Sequence, residues 1–150
     1  MSKYLFQYCQ KIVVLTEEKD HLLLAKRKGE ADYDGTFSFI GGKMETTDTS
    51  ILEALRREKN EEVGEDFRIR ILPTLSLNIL FQKKDGSLMI IPHYLAFHVD
   101  GEVALSDEYS EYQWVPLKSL GQFEPKIRNI PETTEQVAKF AEISSDGDSF

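Results

Sequence analysis

Glu58, Glu61 and Glu62 are the residues of this chain whose types and spacing point most directly to chemistry. They lie in the run Arg56-Arg57-Glu58-Lys59-Asn60-Glu61-Glu62, inside a segment predicted helical over 51–63. At about 100° per residue, Glu58 and Glu62 share one sector of that helix with Ile51, Ala54 and Leu55, and Glu61 falls at its margin. The acids therefore continue the face that is apolar in the first half of the helix. A solvated charge run would sit opposite that face. Glu58 and Glu62 form a like-charged i,i+4 pair, which costs roughly a few tenths of a kcal/mol. All three acids lie toward the helix C-terminus, where the macrodipole disfavours negative charge. Arg57 offsets part of this through Glu53 and Glu61, and a divalent cation would offset much more. The all-oxygen donor set suits Mg²⁺ or Mn²⁺ rather than zinc. His21, His93 and His98 have no zinc-site spacing and read as structural. A charge run taken alone is usually a solvated surface. The shared face, and Gly41-Gly42 just ahead of the helix, favour a metal site.

The elements that must position these acids follow from local signals. Ser50 and Glu53 have capping-box spacing, and Gly64 supplies a C-terminal stop, so the helix body is Ile51 to Val63. Lys11–Leu15 and His21–Lys26 read as strands joined by a polar hairpin at Glu17–Asp20. A polar loop, Lys28 to Gly35, precedes a strand over Phe37–Ile40 that stops at Gly41-Gly42. Phe67 to Gln82 is rich in Ile and Leu, with a bend at Pro73. Lys84-Asp85-Gly86-Ser87 is a hairpin turn, Leu88–Val99 the returning strand, and Tyr112–Val115 a further strand. A second helix is predicted from Thr133 or Thr134 to about Glu142, and the polar tail 144–150 is expected to be frayed. Several strands, a central helix, more strands and a terminal helix imply a mixed sheet covered by helices in one domain over 1–143.

Bulk properties narrow the classes. The 150 residues suffice for one hydrophobic core. Hydrophobic residues make up 41% and charged residues 29%, as in ordinary globular proteins. No apolar run approaches the roughly 20 residues of a membrane span. No secretory signal pattern opens the chain, and the single cysteine, Cys9, has no internal disulfide partner. These point to the cytoplasm. A net charge of −8 argues against a sequence-independent nucleic-acid binder. An anionic substrate stays compatible with it, because cations held by carboxylates can in turn hold phosphates.

The segment Gly42 to Gly64 resembles the Nudix box, G-x5-E-x7-R-E-U-x-E-E-x-G-U, where U is a bulky aliphatic residue. Gly42, Arg57, Glu58, Glu61, Glu62 and Gly64 match, and the Arg-Glu-x-x-Glu-Glu-x-Gly half is intact. Phe37-Ser38-Phe39-Ile40-Gly41-Gly42-Lys43 is similar to the family's aromatic strand entering a Gly-Gly turn. Glu108–Leu117 resembles its late acidic loop leading into a Trp-Val strand. The sequence departs from the pattern in the loop. Counting from Gly42, Asp48 sits where the first box glutamate is expected; counting back from Arg57, Thr49 does. Either Asp48 or Glu45 would take that carboxylate's structural role beside Arg57. Lys59 and Glu65 occupy usually aliphatic positions.

The resemblance covers roughly residues 10 to 143. It implies an α/β/α sandwich with a mixed β-sheet and Mg²⁺-dependent cleavage of a phosphoanhydride in a nucleoside diphosphate derivative. Glu58, Glu61 and Glu62 would be metal ligands, with the Gly41 carbonyl as a further one. Gly42, Asp48 and Gly64 would be structural, and Arg57 would serve the catalytic site. The carboxylate that activates water would come from the box, as Glu61, or from the late loop. There Glu111, nearer the rigid Trp114 strand, is preferred to Glu108. Lys26 and Arg27 are candidates for phosphate contact, although such a pair more often ends a strand in solvent. Phe37, Phe81 and Tyr94 are candidates for stacking on a base, although core packing is the commoner use. A nucleotide is the expected partner, neither membrane nor nucleic acid is, and a homodimer is left open. The alternative is a non-catalytic Nudix-fold domain that binds a nucleotide or a protein, supported by the irregular first half of the box.

Overall fold

The computed structural model describes residues 3–144 and 146–150. Among the described residues nine strands form one sheet: β1 Gln7–Leu15, β2 His21–Arg27, β3 Phe37–Ser38, β4 Ile40–Lys43, β5 Arg68–Ile71, β6 Leu77–Gln82, β7 Leu88–Asp100, β8 Tyr109–Pro116 and β9 Asp148–Ser149. The helices are α1 Ile51–Val63, α2 Ile130–Ala138 and the short α3 Phe140–Ile143. The main path of the sheet runs β3-β2-β1-β7-β5-β9; in addition β4 pairs with β1, β6 with β7 and β8 with β2. Strands β1 and β7 are parallel and the other pairings are antiparallel, so the sheet is mixed.

Alternation along the central strands builds two cores. Ile12 and Val14 of β1, Leu23 and Ala25 of β2, and Tyr94 and Ala96 of β7 face α1, where they pack with Leu55 and Val63. Val13 and Leu15, Leu22 and Leu24, and Leu95 and Phe97 face α2 and pack with Ile130 and Val137. The expected α/β/α sandwich is therefore the observed one. No helix among the described residues is long and apolar enough to cross a membrane.

Of the boundaries that differ from expectation, three have a plain physical cause. Helix α2 starts at Ile130 instead of near Thr133, because Pro131 lies in its first turn. There a missing N–H and a preset φ suit helix initiation. The strand expected to stop at Gly41-Gly42 continues to Lys43, because β4 pairs with β1 from Cys9↔Lys43 to Ile12↔Ile40. The tail expected to be frayed is in part ordered: β9 pairs with β5. Phe150 N–H donates to the Ile69 carbonyl at 2.9 Å, and Ile69 N–H donates to the Phe150 carbonyl at 2.8 Å. The edge of β5 offered unpaired backbone groups, and the Phe150 ring packs against the α1-side core.

Candidate active site

Helix α1 forms where its signals place it. Ser50 Oγ accepts from Glu53 N–H at 3.1 Å, and Gly64 N–H closes the last turn on the Asn60 carbonyl at 3.0 Å. The buried face carries Ala54, Leu55, Glu58, Lys59, Glu62 and Val63, whereas Ile51 is exposed. Lys59 departs from the aliphatic residue of the box, and the structure shows how it is accommodated. Its stem is buried, and Nζ donates to the carbonyls of Gly64, Glu65 and Phe67 at 3.1, 3.4 and 2.8 Å. A positive charge at the helix C-terminus also opposes the macrodipole there.

Arg57 organises the loop ahead of the helix. Its Nε and Nη2 donate to the two oxygens of Asp48 at 2.8 and 2.9 Å, a bidentate pair, and Nη2 also reaches the Lys43 carbonyl at 3.2 Å. Nη1 contacts Glu58 at 2.9 Å, Glu61 at 3.2 Å and Glu45 at 3.2 Å. Asp48 also accepts from Glu45 N–H at 2.7 Å, closing a turn. The box is thus in register from Gly42: Asp48 takes the first carboxylate's place, and Glu45 adds one exposed contact. The Arg57 guanidinium pulls the Asp48 pKa down to about 2. A carboxyl depressed from an ordinary 3.8 stabilises the fold above about pH 4, and that stability is lost as pH falls toward 2. Asp48→Ala is expected to lower melting temperature and activity together, and Thr49→Ala to change neither. The gap in melting temperature between wild type and Asp48→Asn should close as the pH is lowered to 2; a gap constant with pH would show that the pair is not its source.

Glu62 is the most buried acid of the site, 2% exposed. Its Oε1 accepts from Gly41 N–H at 2.5 Å and from the Tyr109 hydroxyl at 2.8 Å. Its Oε2 is buried and has no hydrogen-bond partner. Burial first, and the neighbouring Glu108 carboxyl second, push the Glu62 pKa up to about 9, against the pull of Lys11. Glu58 is also raised by burial, with Arg57 opposing and Glu61 and Glu108 adding to the rise. It lies against Gly42, where a Cβ would collide with its carboxylate. Gly41 has φ 133°, a conformation suited to glycine, and a Cβ there would strike the Gln10 carbonyl.

A cavity of about 870 Å³ is lined by Glu58, Glu61, Glu108 and Tyr109, and further out by Lys11, Arg27, Lys43, Phe39, Phe81 and His93; Glu62 lies behind its Gly41 and Tyr109 wall. Among the described residues no three acidic, histidine or cysteine side chains converge on one point: Arg57 holds Glu58 and Glu61, while Tyr109 and Gly41 hold Glu62. The donor chemistry nevertheless fits a divalent cation. A buried, unpartnered carboxylate oxygen beside a second acid is a costly arrangement that a hard cation would relieve.

Several expected site residues lie elsewhere. Glu111, preferred to Glu108 on the sequence, stands on β8 opposite Lys26 and pairs with it at 3.9 Å; neither lines the cavity. Glu108, not Glu111, lines the cavity, because it precedes β8 in a turn that folds back to α1, with Ser106 N–H bonded to the Glu62 carbonyl at 3.1 Å. Of the two basic candidates for phosphate contact, Lys26 stands outside the cavity, and Arg27 lines it while its guanidinium holds the Asp32 carbonyl at 3.2 Å and Glu30 at 3.5 Å. Phe37 packs edge-on to Phe123 at 4.9 Å in the α2-side core, and Tyr94 lies in the α1-side core; of the three aromatic candidates only Phe81 reaches the cavity. The Gly41 carbonyl, expected as a metal ligand, accepts from Lys11 Nζ at 3.3 Å. Lys11, Tyr109, Phe39 and His93 were not legible as site residues, because nothing local marks them; pairing of β1 with β4 and β7, and of β8 with β2, brings them in.

A mixed sheet sandwiched between helices, with a Gly-Gly strand feeding an Arg-Glu-x-x-Glu-Glu helix, defines the class. The chain belongs to the Nudix family: the NUDIX domain model matches residues 11–137. Among solved structures it is similar to the MutT protein from Methanosarcina mazei Go1, with TM-score 0.72 and 21% identity over 95% of this chain and 99% of that one. It is also similar to a C. elegans Ap4A hydrolase in a binary complex, with TM-score 0.68 and 17% identity over 91% and 96%. The NUDIX domain of Shewanella oneidensis NrtR complexed with ADP ribose superposes with TM-score 0.67 and 17% identity over 93% and 88%. At these identities the likeness is one of fold. No curated protein sequence matches.

Proposed function

We propose that the chain is a divalent-metal-dependent hydrolase that cleaves a phosphoanhydride bond in a nucleoside diphosphate derivative. The observation that carries this reading is the Glu62 carboxyl, buried with one oxygen unpartnered beside Glu108 and held by Gly41 and Tyr109, three residues that line a large cavity. Mg²⁺ or Mn²⁺, held by Glu62 with Glu58 and Glu61, would neutralise phosphate oxygens and make a water acidic. The protein's own groups supply the rest. Glu108 orients a water and takes its proton. Arg57 keeps Glu58 and Glu61 on the cavity side of α1 through its anchor on Asp48. Lys11 and Lys43 bring positive charge to a cavity in an acidic chain, which favours a phosphate there. The apolar wall with Phe39 and Phe81 suits a nucleoside. The ligands named for two structural neighbours, Ap4A and ADP ribose, are both nucleotide derivatives and fit this substrate class. The reading places the protein in a reducing cytoplasm, where the buried free Cys9 thiol persists.

One observation favours a non-catalytic binding domain instead: Arg57 already neutralises Glu58 and Glu61, leaving them without an obvious need for a metal. A panel of nucleoside triphosphates, nucleotide sugars, ADP-ribose and dinucleoside polyphosphates separates the two. The hydrolase reading expects phosphate-ester products with Mg²⁺ and none with EDTA. Binding without turnover of any member would establish the alternative.

A further inference from the structure

An open sheet edge is a row of backbone N–H and C=O groups ready to bond another strand. The chain covers the outer edge of β5 with its own β9. Among the described residues β6 has no such cover, because it pairs with β7 alone. Its register against β7 runs without a shift from Leu77↔His93 to Gln82↔Leu88, so no bulge twists the edge away. Lys83 N–H donates to the Ser87 carbonyl at 2.9 Å across the turn. Bonding alternates along an antiparallel pair, so Leu77, Ile79 and Phe81 turn their backbone groups to β7, while Asn78, Leu80 and Gln82 turn theirs outward.

Edge strands are ordinarily protected by a charged residue, a proline or a bulge. The other long strand with a single partner, β8, carries Glu111 and ends on Pro116. Strand β6 has neither a charge nor a proline, in a chain of net charge −8. Leu80, near its centre, is 63% exposed. It stands beside Ile90 of β7, which stands beside Tyr8 of β1, and both neighbours are half-buried. Paired residues share a face of the sheet, so Tyr8, Ile90 and Leu80 form an apolar row across three strands that ends in solvent at the open edge.

We propose that β6 is the interface of a homodimer, in which two copies pair their β6 strands antiparallel about a two-fold axis at Leu80. The occupant is a second copy because the strand is complementary to itself. An axis at Leu80 sets Leu80 against Leu80, Asn78 against Gln82 and Ile79 against Phe81, so apolar meets apolar and amide meets amide. The outward backbone groups of Asn78, Leu80 and Gln82 then all find partners, and the apolar rows of the two copies join into one. The charged residues of the following turn, Lys83, Lys84 and Asp85, fall opposite Leu77, Ser76 and Leu75, so no like charges meet. The pairing is closed, since it uses up the β6 edge of both copies. Ile79 and Phe81 also line the cavity, so the dimer braces that wall.

The test is sedimentation velocity and light scattering of the whole protein over a dilution series, and its result does not depend on turnover of any nucleotide. The wild type should reach twice the 17.2 kDa chain mass. Leu80→Lys sets two ammonium groups face to face at the axis and should raise the dimer dissociation constant at least about tenfold. Its circular dichroism spectrum should match wild type, because Leu80 is a surface residue. Charge pairs check the register. Asn78→Lys combined with Gln82→Glu places opposite charges across the axis and should keep the dimer. Asn78→Lys combined with Gln82→Lys places like charges there and should dissociate it. A wild type that stays monomeric at the highest concentration, or that grows beyond two copies, would overturn the proposal. So would a dimer that survives Leu80→Lys, or one on which the two charge combinations act alike.

Discussion

Glu62→Gln is expected to lower kcat by on the order of 10²–10³-fold, the range seen when one electrostatic group is removed from a reaction centre. The metal-free protein should at the same time keep or gain stability. The sign follows from the raised pKa, about 9 against an ordinary 4.5. Between those values the unfolded chain ionises Glu62 while the native protein keeps it protonated, so the native state binds the extra proton. Stability of the metal-free wild type is then full below about pH 4.5, falls as pH rises, and reaches its floor above about 9. A glutamine cannot ionise, and its amide can take the Glu62 oxygen's place against Gly41 N–H and Tyr109. The fall should therefore be absent in Glu62→Gln, and Mg²⁺ should flatten it in the wild type. Thermal melts from pH 5 to 9 in EDTA, with and without excess Mg²⁺, measure this directly. Parallel pH profiles in wild type and variant would show that Glu62 is not the buried acid responsible.

Glu108→Gln is expected to reduce kcat by about 10²–10⁴-fold, the usual contribution of a positioned general base. Glu111→Gln should stay within a few-fold of wild type. The contrast comes from placement: Glu108 borders the cavity beside Glu62 and Glu58, whereas Glu111 is half exposed and spent on Lys26 across the strand pair. A surface pair of that kind is worth little to stability, so Glu111→Gln should also melt close to wild type. Steady-state rates at saturating substrate, with Mg²⁺ titrations of each variant, separate loss of a base from loss of metal. A Glu108→Gln rate within a few-fold of wild type would move the base to the box, with Glu61 as the exposed candidate.

The acidic helix was legible because its determinants are local. Ser50, Gly64 and the three- and four-residue spacing act within a turn or two of α1, and they placed Glu58 and Glu62 on the buried face and Glu61 at its margin. The loop before the helix was half legible. Two counts of the box disagreed by one residue, and only the fork-to-fork contact of Arg57 with Asp48 resolved the register. Lys59 illustrates the opposite case. A lysine on an apolar face reads as a mismatch until three carbonyls of the following turn are seen to receive its ammonium.

The sequence by itself determined the class of fold, the helix with its caps, and the helix face on which the acids lie, since periodicity and capping are interactions between near neighbours. Only the tertiary structure decided which distant residues join those acids. Tyr109 reaches Glu62 across 47 residues and Lys11 reaches Gly41 across 30, and each meeting depends on how strands pair. A strand side chain changes face with a shift of one residue, so small irregularities decide the outcome. The pairing of β2 with β8 shifts register between Lys26 and Arg27; Lys26 meets Glu111 on the surface, and Arg27 lines the cavity. The break at Phe39 between β3 and β4 likewise puts Phe37 in the core and Phe39 on the cavity wall. Such shifts are set by packing of the whole sheet, which no short window of sequence contains.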